Sequence, residues 1–178
     1  SRNLLNQIWK QEPHFLFDNN YLKAQENKEK DFFKTWKEWS SPVIEYNEEL
    51  THFYPTNGSS EAIREVIYQL KNRKRRLVIF KYDYEGYKAF AMACGLKFVE
   101  IDKEEYKKFK FKDNDTLIFS HPASYDGNLW GDYDNLMKSL SEKKTQVYVD
   151  LCYVGTIAKD YTINLKYKNI EGLFISLS

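Results

Sequence analysis

The feature that most constrains the fold is an alternation that begins near residue 56, where short runs rich in Val, Ile and Phe take turns with segments of helical spacing. In "TNGSSEAIREVIYQLKN" the residues Ile63, Val66, Ile67 and Leu70 share one helical face. "LVIF" (77–80) reads as a strand, and "YEGYKAFAMACG" as a helix with Gly95 at its C-cap. "KFVEI" (97–101), "TLIFS" (116–120), "QVYVDL" (146–151) and "LFISL" (173–177) read as further strands, with "GDYDNLMKSLSEK" as a helix ahead of the fourth. Strands that are apolar throughout belong in a sheet covered on both faces, and parallel strands need long crossovers between them. The pattern therefore predicts an α/β fold: a mostly parallel sheet with helices on both faces, in three layers.

Ahead of this region, residues 1–50 read as a polar and aromatic N-terminal segment, and residues 51–178 as the sheet domain. Within "KEKDFFKTWKEWSSP", Phe32, Phe33, Trp36 and Trp39 fall at helical spacing, and Pro42 ends the run. An aromatic stripe of this kind packs on a core or across a dimer interface more often than it holds a ligand.

Charge and cysteine content exclude several classes. With 27 Lys+Arg against 26 Asp+Glu, nothing in the balance favours nucleic acid or an anionic membrane. The basic run "KNRKRR" (71–76) sits at a helix C-terminus, where cations complement the dipole. No apolar run reaches the ~20 residues of a membrane span, and "SRNLLNQIWK" lacks a signal-peptide core. Two cysteines, Cys94 and Cys152, form no CxxC pair, so a reducing, cytoplasmic setting is expected. His14, His52 and His121 are too scattered to suggest a metal centre. The GxSxG elbow of serine hydrolases, the Walker A loop and the GxGxxG fingerprint are all missing.

In parallel sheets the ligand crevice lies beyond the carboxyl ends of the strands. The polar residues expected there are Tyr82, Asp83, Tyr84, His121, Asp150, Ser176 and Ser178. Gly58, Ser59 and Ser60 open a helix, whose free N–H groups and positive dipole end favour an anion; a plain serine cap is the commoner use. Asp150 ends a buried strand, which is costly unless the carboxylate meets a cation or a strong donor, or caps a turn. Tyr153 follows three residues later.

Taken together, "YPTNGSSEAI", "YDYEGYKAFAMACG", "SHPASYDGNLWGDYDNL", "YVDLCYVG" and "FISLS" resemble, in order and spacing, the fold-type I pyridoxal-phosphate enzymes of the class I/II aminotransferase family, over about residues 50–178. The resemblance implies pyridoxal 5'-phosphate as cofactor. It assigns Gly58, Ser59 and Ser60 to the cofactor phosphate, Tyr84 to stacking on the ring, and Asp150 to the ring nitrogen. Tyr153 would meet the ring hydroxyl oxygen, and Ser176, with Ser178 beside it, the phosphate. His121 stands where the family usually has an Asn that donates to the ring hydroxyl oxygen, and Tyr82 where it usually has Pro. The Schiff-base lysine is expected immediately after Ser178, so no catalytic lysine is assigned within the chain. The chain is then either the front part of a longer enzyme, interrupted at a cofactor-bearing lysine, or a true fragment.

The resemblance implies an aminotransferase acting on an amino acid or amino-acid-like substrate, as a homodimer. A decarboxylase, lyase or cyclase on the same scaffold is the alternative within the family. A non-catalytic α/β binding module is the alternative outside it, and a nucleotide-binding domain stands further behind.

Overall fold

A computed structural model describes residues 34–50, 52–156 and 161–176. The chain divides into two compact units, Ser1–Ser40 with His52–Pro55, and Ser41–Thr51 with Thr56–Ser178. In the smaller unit, residues 34–40 are helical. Trp36 is buried there while Trp39 is 57% exposed, their rings 5.1 Å apart, so the aromatic stripe is not uniformly covered. Phe32 and Phe33 lie outside the described residues.

The larger unit takes in residues expected in the N-terminal segment, because Ile44–Tyr46 forms a strand that pairs far along the chain. In chain order the elements are β1 (Ile44–Tyr46), α1 (Ser59–Asn72), β2 (Arg76–Phe80), α2 (Glu85–Cys94), β3 (Phe98–Ile101), β4 (Asp115–Ser120), α3 (Tyr133–Glu142), β5 (Gln146–Asp150), β6 (Ile163–Leu165) and β7 (Ile170–Phe174). Single 3-10 turns cover Lys103–Glu105 and Val154–Thr156. Five strands form one sheet in the order β3-β2-β4-β5-β7, with every pair parallel. β1 and β6 form a separate two-stranded parallel sheet.

The helices cover both faces, as the strand composition requires. Ile63, Ile67 and Leu70 of α1 and Tyr87 and Ala91 of α2 pack on Leu77, Ile79, Ile118 and Phe174. Alternate residues face the other way. There Phe119 meets Tyr133 of α3, and Leu136, Met137 and Leu140 complete a fully buried helix face. All six residues of the central strand β4 are buried.

Local signals behave as the sequence predicts. Gly95 adopts the left-handed conformation (φ 68°) and closes α2, with the Leu96 N–H donating to the Ala91 carbonyl at 2.9 Å. Lys71 in the last turn of α1 donates to the Gly95 carbonyl at 2.6 Å, tying two helix ends together.

Two ionic clusters fix the scaffold, one at the amino ends of β2 and β4 and one in the connections that follow β3 and β4. Arg76 grips Asp115 through two bonds of 2.7 Å, and the Lys112 N–H adds a third at 2.8 Å. The Asp115 side chain is fully buried. Asp132, at the start of α3, accepts from the Tyr106 hydroxyl (2.7 Å), Lys107 (2.9 Å) and Asn135 (2.6 Å). These donors hold its carboxyl down at about 2.

The connections reverse at β2. The chain leaves β2 for β3 on one side and returns from β3 to β4 on the other. Such a reversal opens a crevice at the carboxyl ends of the strands.

Candidate functional site

Beyond the last residue of β2 the chain turns sharply. Tyr82 takes φ 64°, a conformation that costs an L-residue about 1–2 kcal/mol. The turn sends the Tyr82 side chain out (82% exposed) and Asp83 in (9%). One Asp83 oxygen accepts from the Tyr84 N–H (2.8 Å), the Ser124 hydroxyl (2.9 Å) and the Ser120 hydroxyl; the other accepts from the Ser120 N–H (2.9 Å). A single carboxylate thus joins the ends of β2 and β4.

Tyr84 then folds its ring over Gly86. A Cβ on Gly86 would lie 2.2 Å from Tyr84 Cε1, so only glycine leaves room for this ring. The Tyr84 hydroxyl meets the Ser60 hydroxyl at 2.9 Å, and its ring stands edge-on to Tyr87 at 5.3 Å and 85°. Tyr87, fully buried on α2, donates its hydroxyl to Asp150 Oδ2 at 2.8 Å. Asp150 is 4% exposed, and its Oδ1 accepts from the Cys152 N–H at 3.1 Å. Among the described residues no Lys, Arg or His forms an ion pair with Asp150. Burial raises its pKa, with Asp83 adding to the effect, while the donors from Cys152 and Tyr87 oppose it. Burial and the same carboxylate push the Tyr87 phenol well up. Burial, and then the nearby Asp150, push the Cys152 thiol up to about 12.

At the start of α1, Gly58 has φ 84°, and a Cβ there would meet nothing within 4 Å. The helix has no side-chain cap; Glu61 reaches back to the Asn57 N–H at 2.6 Å. The first-turn N–H groups therefore stand at an uncrowded corner.

Of the residues singled out in the sequence, Ser60, Tyr84 and Asp150 are thus joined directly or through Tyr87, with Gly58 and Ser59 adjoining in the chain. Tyr153 is 44% exposed in the turn after β5, and Ser176 is half-buried beyond the end of β7. Ser178 lies outside the described residues. His121 departs from expectation. Its ring is fully buried and stacks on Tyr133 at 4.3 Å and 8°, on the α3 side of the sheet. Alternation explains this, since Leu117, Phe119 and His121 follow one another on a single face. Both ring nitrogens lack a hydrogen-bond partner among the described residues, and burial pulls the pKa down to about 3, so the ring is neutral.

Tyr87 is a member of the site that the sequence reading does not name, and Asp83, expected at this edge, has no role assigned by it. Tyr87 had a signal: it lies three residues after Tyr84 and one helical turn before Ala91, on the buried face of α2. Nearby, the Lys103 ammonium lies 5.4–5.9 Å from the centres of the Tyr125, Trp130 and Phe80 rings, bringing the segment after β3 against the turn after β4. An open pocket of about 540 Å³ flanks α2, lined by residues including Lys81, Tyr82, Lys88, Met92 and Glu100; Asp150 and the α1 serines do not line it.

No family model matches the sequence, and no curated protein matches it. Solved structures do match. An aminotransferase from Eubacterium rectale is 17% identical, with a TM-score of 0.56 over 70% of this chain and 37% of that one. The L-threonine-O-3-phosphate decarboxylase of Porphyromonas gingivalis is 20% identical, with a TM-score of 0.49 over 60% and 32%. The histidinol-phosphate aminotransferase of Clostridium acetobutylicum is 25% identical, with a TM-score of 0.45 over 54% and 30%. The chain spans about a third of the length of these structures. The likeness speaks for a fold and not for one reaction. The chain has the fold of the fold-type I pyridoxal-phosphate enzymes that its motifs resemble.

Proposed function

We propose that the protein is a pyridoxal-phosphate-dependent enzyme acting at the Cα of an amino acid or amino-acid-like substrate, with aminotransfer as its reaction. The observation that carries the reading is Asp150: a carboxylate almost fully buried at the end of a central strand, held by two neutral donors and without a cationic partner among the described residues. A buried anion in that state calls for a cation from a ligand. The residues present fit pyridoxal phosphate. Its protonated ring nitrogen is such a cation, the Tyr84 ring offers an aromatic wall made possible by Gly86, and the uncrowded α1 N-terminus with two serines suits a phosphate.

When bound, the cofactor supplies an electron sink for a bond broken at the substrate Cα. Asp150 keeps a proton on the ring nitrogen. Tyr87 and the Cys152 N–H fix which way the carboxylate points. Tyr84 bounds one face of the ring, and Gly58, Ser59 and Ser60 hold the phosphate through N–H and hydroxyl donors, with Ser176 and Ser178 adding to that set. Tyr153 donates to the ring hydroxyl oxygen. His121 is left to packing, because its neutral ring is committed to Tyr133. The reading assigns no catalytic lysine among residues 1–178, and it includes a homodimer.

The test is to add pyridoxal phosphate to the purified full protein. A visible absorption band that borohydride removes is the expected result, weakened in Asp150→Ala. A protein that takes up no pyridoxal phosphate, or an Asp150→Ala variant that binds it as well as the parent, refutes the proposal. Keto-acid product, as against released CO₂, separates aminotransfer from decarboxylation.

A further inference from the structure

The β2–β4 ladder stops at Ile79 and Ile118. Two residues on, the Ser120 N–H points back toward β2, while the next N–H, of His121, turns to the Asp150 carbonyl at 2.9 Å. In an unbroken parallel ladder, backbone carbonyls of β2 would serve the first of these. Instead the Tyr82 turn has carried the β2 backbone away, and the Asp83 side chain takes its place. The same carboxylate holds the first N–H ahead of α2, at the positive end of that helix, and both hydroxyls of the Ser120–Ser124 turn. Ser120 in turn takes the Ser124 N–H at 2.8 Å, so the turn after β4 is closed on itself around Asp83.

Resting on the cofactor reading above, we infer that Asp83 is a positioning residue: its four-donor clamp fixes the entry of the chain into α2 and thereby sets where the Tyr84 ring stands against the ligand. Tyr84 directly follows Asp83, and its backbone is bonded to it. Two further contacts touch the ring, an exposed hydroxyl contact with Ser60 and an edge contact with Tyr87. Those two contacts hold a ring already aimed; they do not set the backbone direction that aims it. The left-handed Tyr82 makes the same point, because a strained residue persists only where its surroundings over-determine it. The four bonds to Asp83 are that surrounding, charge-assisted and largely shielded from water.

The test is a double-mutant cycle of Asp83→Asn and Tyr84→Ala in the full protein, read by quenching of protein fluorescence on titration with pyridoxal phosphate, alongside thermal unfolding. An asparagine turns an NH₂ onto donors that the carboxylate now serves. Asp83→Asn should weaken binding about tenfold, the equivalent of about 1.4 kcal/mol. In the Tyr84→Ala background the same change should weaken it by less than about twofold, because there is no ring left to aim. Losses that multiply in the double variant would overturn the inference. Ser124→Ala, which removes one donor and spares the charge, should move binding the same way by less and should also vanish with Tyr84→Ala; it serves if Asp83→Asn does not fold. A ligand-free arm separates this inference from the cofactor reading. In a crystal structure of Ser124→Ala or Asp83→Asn the Tyr84 ring should leave its place over Gly86, and a ring that stays put overturns the clamp whatever the ligand proves to be. A parent protein that binds no pyridoxal phosphate, with a ring that moves as expected, sinks the cofactor reading and keeps the clamp.

Discussion

Replacing Gly86 with alanine sets two energies against each other. Gly86 lies in the first turn of α2, where alanine favours the helix by up to about 1 kcal/mol. The added Cβ, however, would sit 2.2 Å from Tyr84 Cε1, 2.5 Å from Cζ and 2.8 Å from the hydroxyl. A ring edge cannot yield by an ångström in place, so the Tyr84 side chain must leave. It gives up an exposed hydroxyl bond to Ser60 and the edge contact with Tyr87, each at the low end of about 0.5–1.5 kcal/mol. Gain and loss nearly cancel, so the unfolding temperature should move by no more than a few degrees. Ligand binding has no such offset. Loss of an aromatic stacking wall costs about 1–3 kcal/mol in comparable systems, or roughly tenfold or more in affinity. The assay pairs thermal unfolding with a fluorescence titration of pyridoxal phosphate. Unchanged affinity would mean that Tyr84 is not the wall. A fall of ten degrees or so in unfolding temperature would mean that Gly86 serves the backbone and not the ring.

Asp115→Ala, which strands Arg76 beside a vacated buried site, should cost about 3 kcal/mol in urea unfolding; a loss under about 1 kcal/mol would show the pair to be ornamental. Asp132 has its pKa depressed from 3.8 to about 2, so it stabilises the fold fully above about pH 4 and loses that contribution as pH falls toward 2. The stability gap between the parent and Asp132→Asn should therefore close over that acid range, and a gap independent of pH would contradict it. His121→Phe keeps the stack on Tyr133 and removes two ring nitrogens that have no partner among the described residues, so it should leave stability unchanged or raise it by about 1 kcal/mol in thermal unfolding. A loss larger than that would point to a polar role for the imidazole.

Much of the architecture can be read from periodicity. Four strands of the main sheet, the three helices that cover it and the Gly95 cap follow from apolar spacing and one glycine, but the last strand is Ile170–Phe174, three residues ahead of the expected 173–177, because its pairing with β5 begins at Ile170 and not at the more apolar run that follows. Asp150 is also legible, because a carboxylate at the end of a buried run is conspicuous. β1 and β6 are not: each has three residues, they lie more than a hundred positions apart, and their pairing leaves no period in either. Asp83 is legible as a residue of the carboxyl edge, but its inward-facing role escapes for a different reason. In "YDYEGY" it looks like a loop carboxylate, and only the left-handed Tyr82 turns it inward. A non-glycine residue announces such a turn by nothing in its identity. The face of His121 was available, since "TLIFSH" continues the strand alternation by one step and places the imidazole with Leu117 and Phe119. The resemblance to the family's Asn position points the other way, toward the ligand.

The contacts that start at Ser60 pass through Tyr84 and Tyr87 to Asp150, whose other oxygen takes the Cys152 N–H. They form a relay that runs from the first turn of α1, across the start of α2, to the end of β5. In a relay of this kind the parts do not drift independently: a tilt of that turn pulls on the tyrosine wall and, through it, on the carboxylate. The helix start, the aromatic face and the buried anion are then one mechanical body, and a load on any of them is carried by all three.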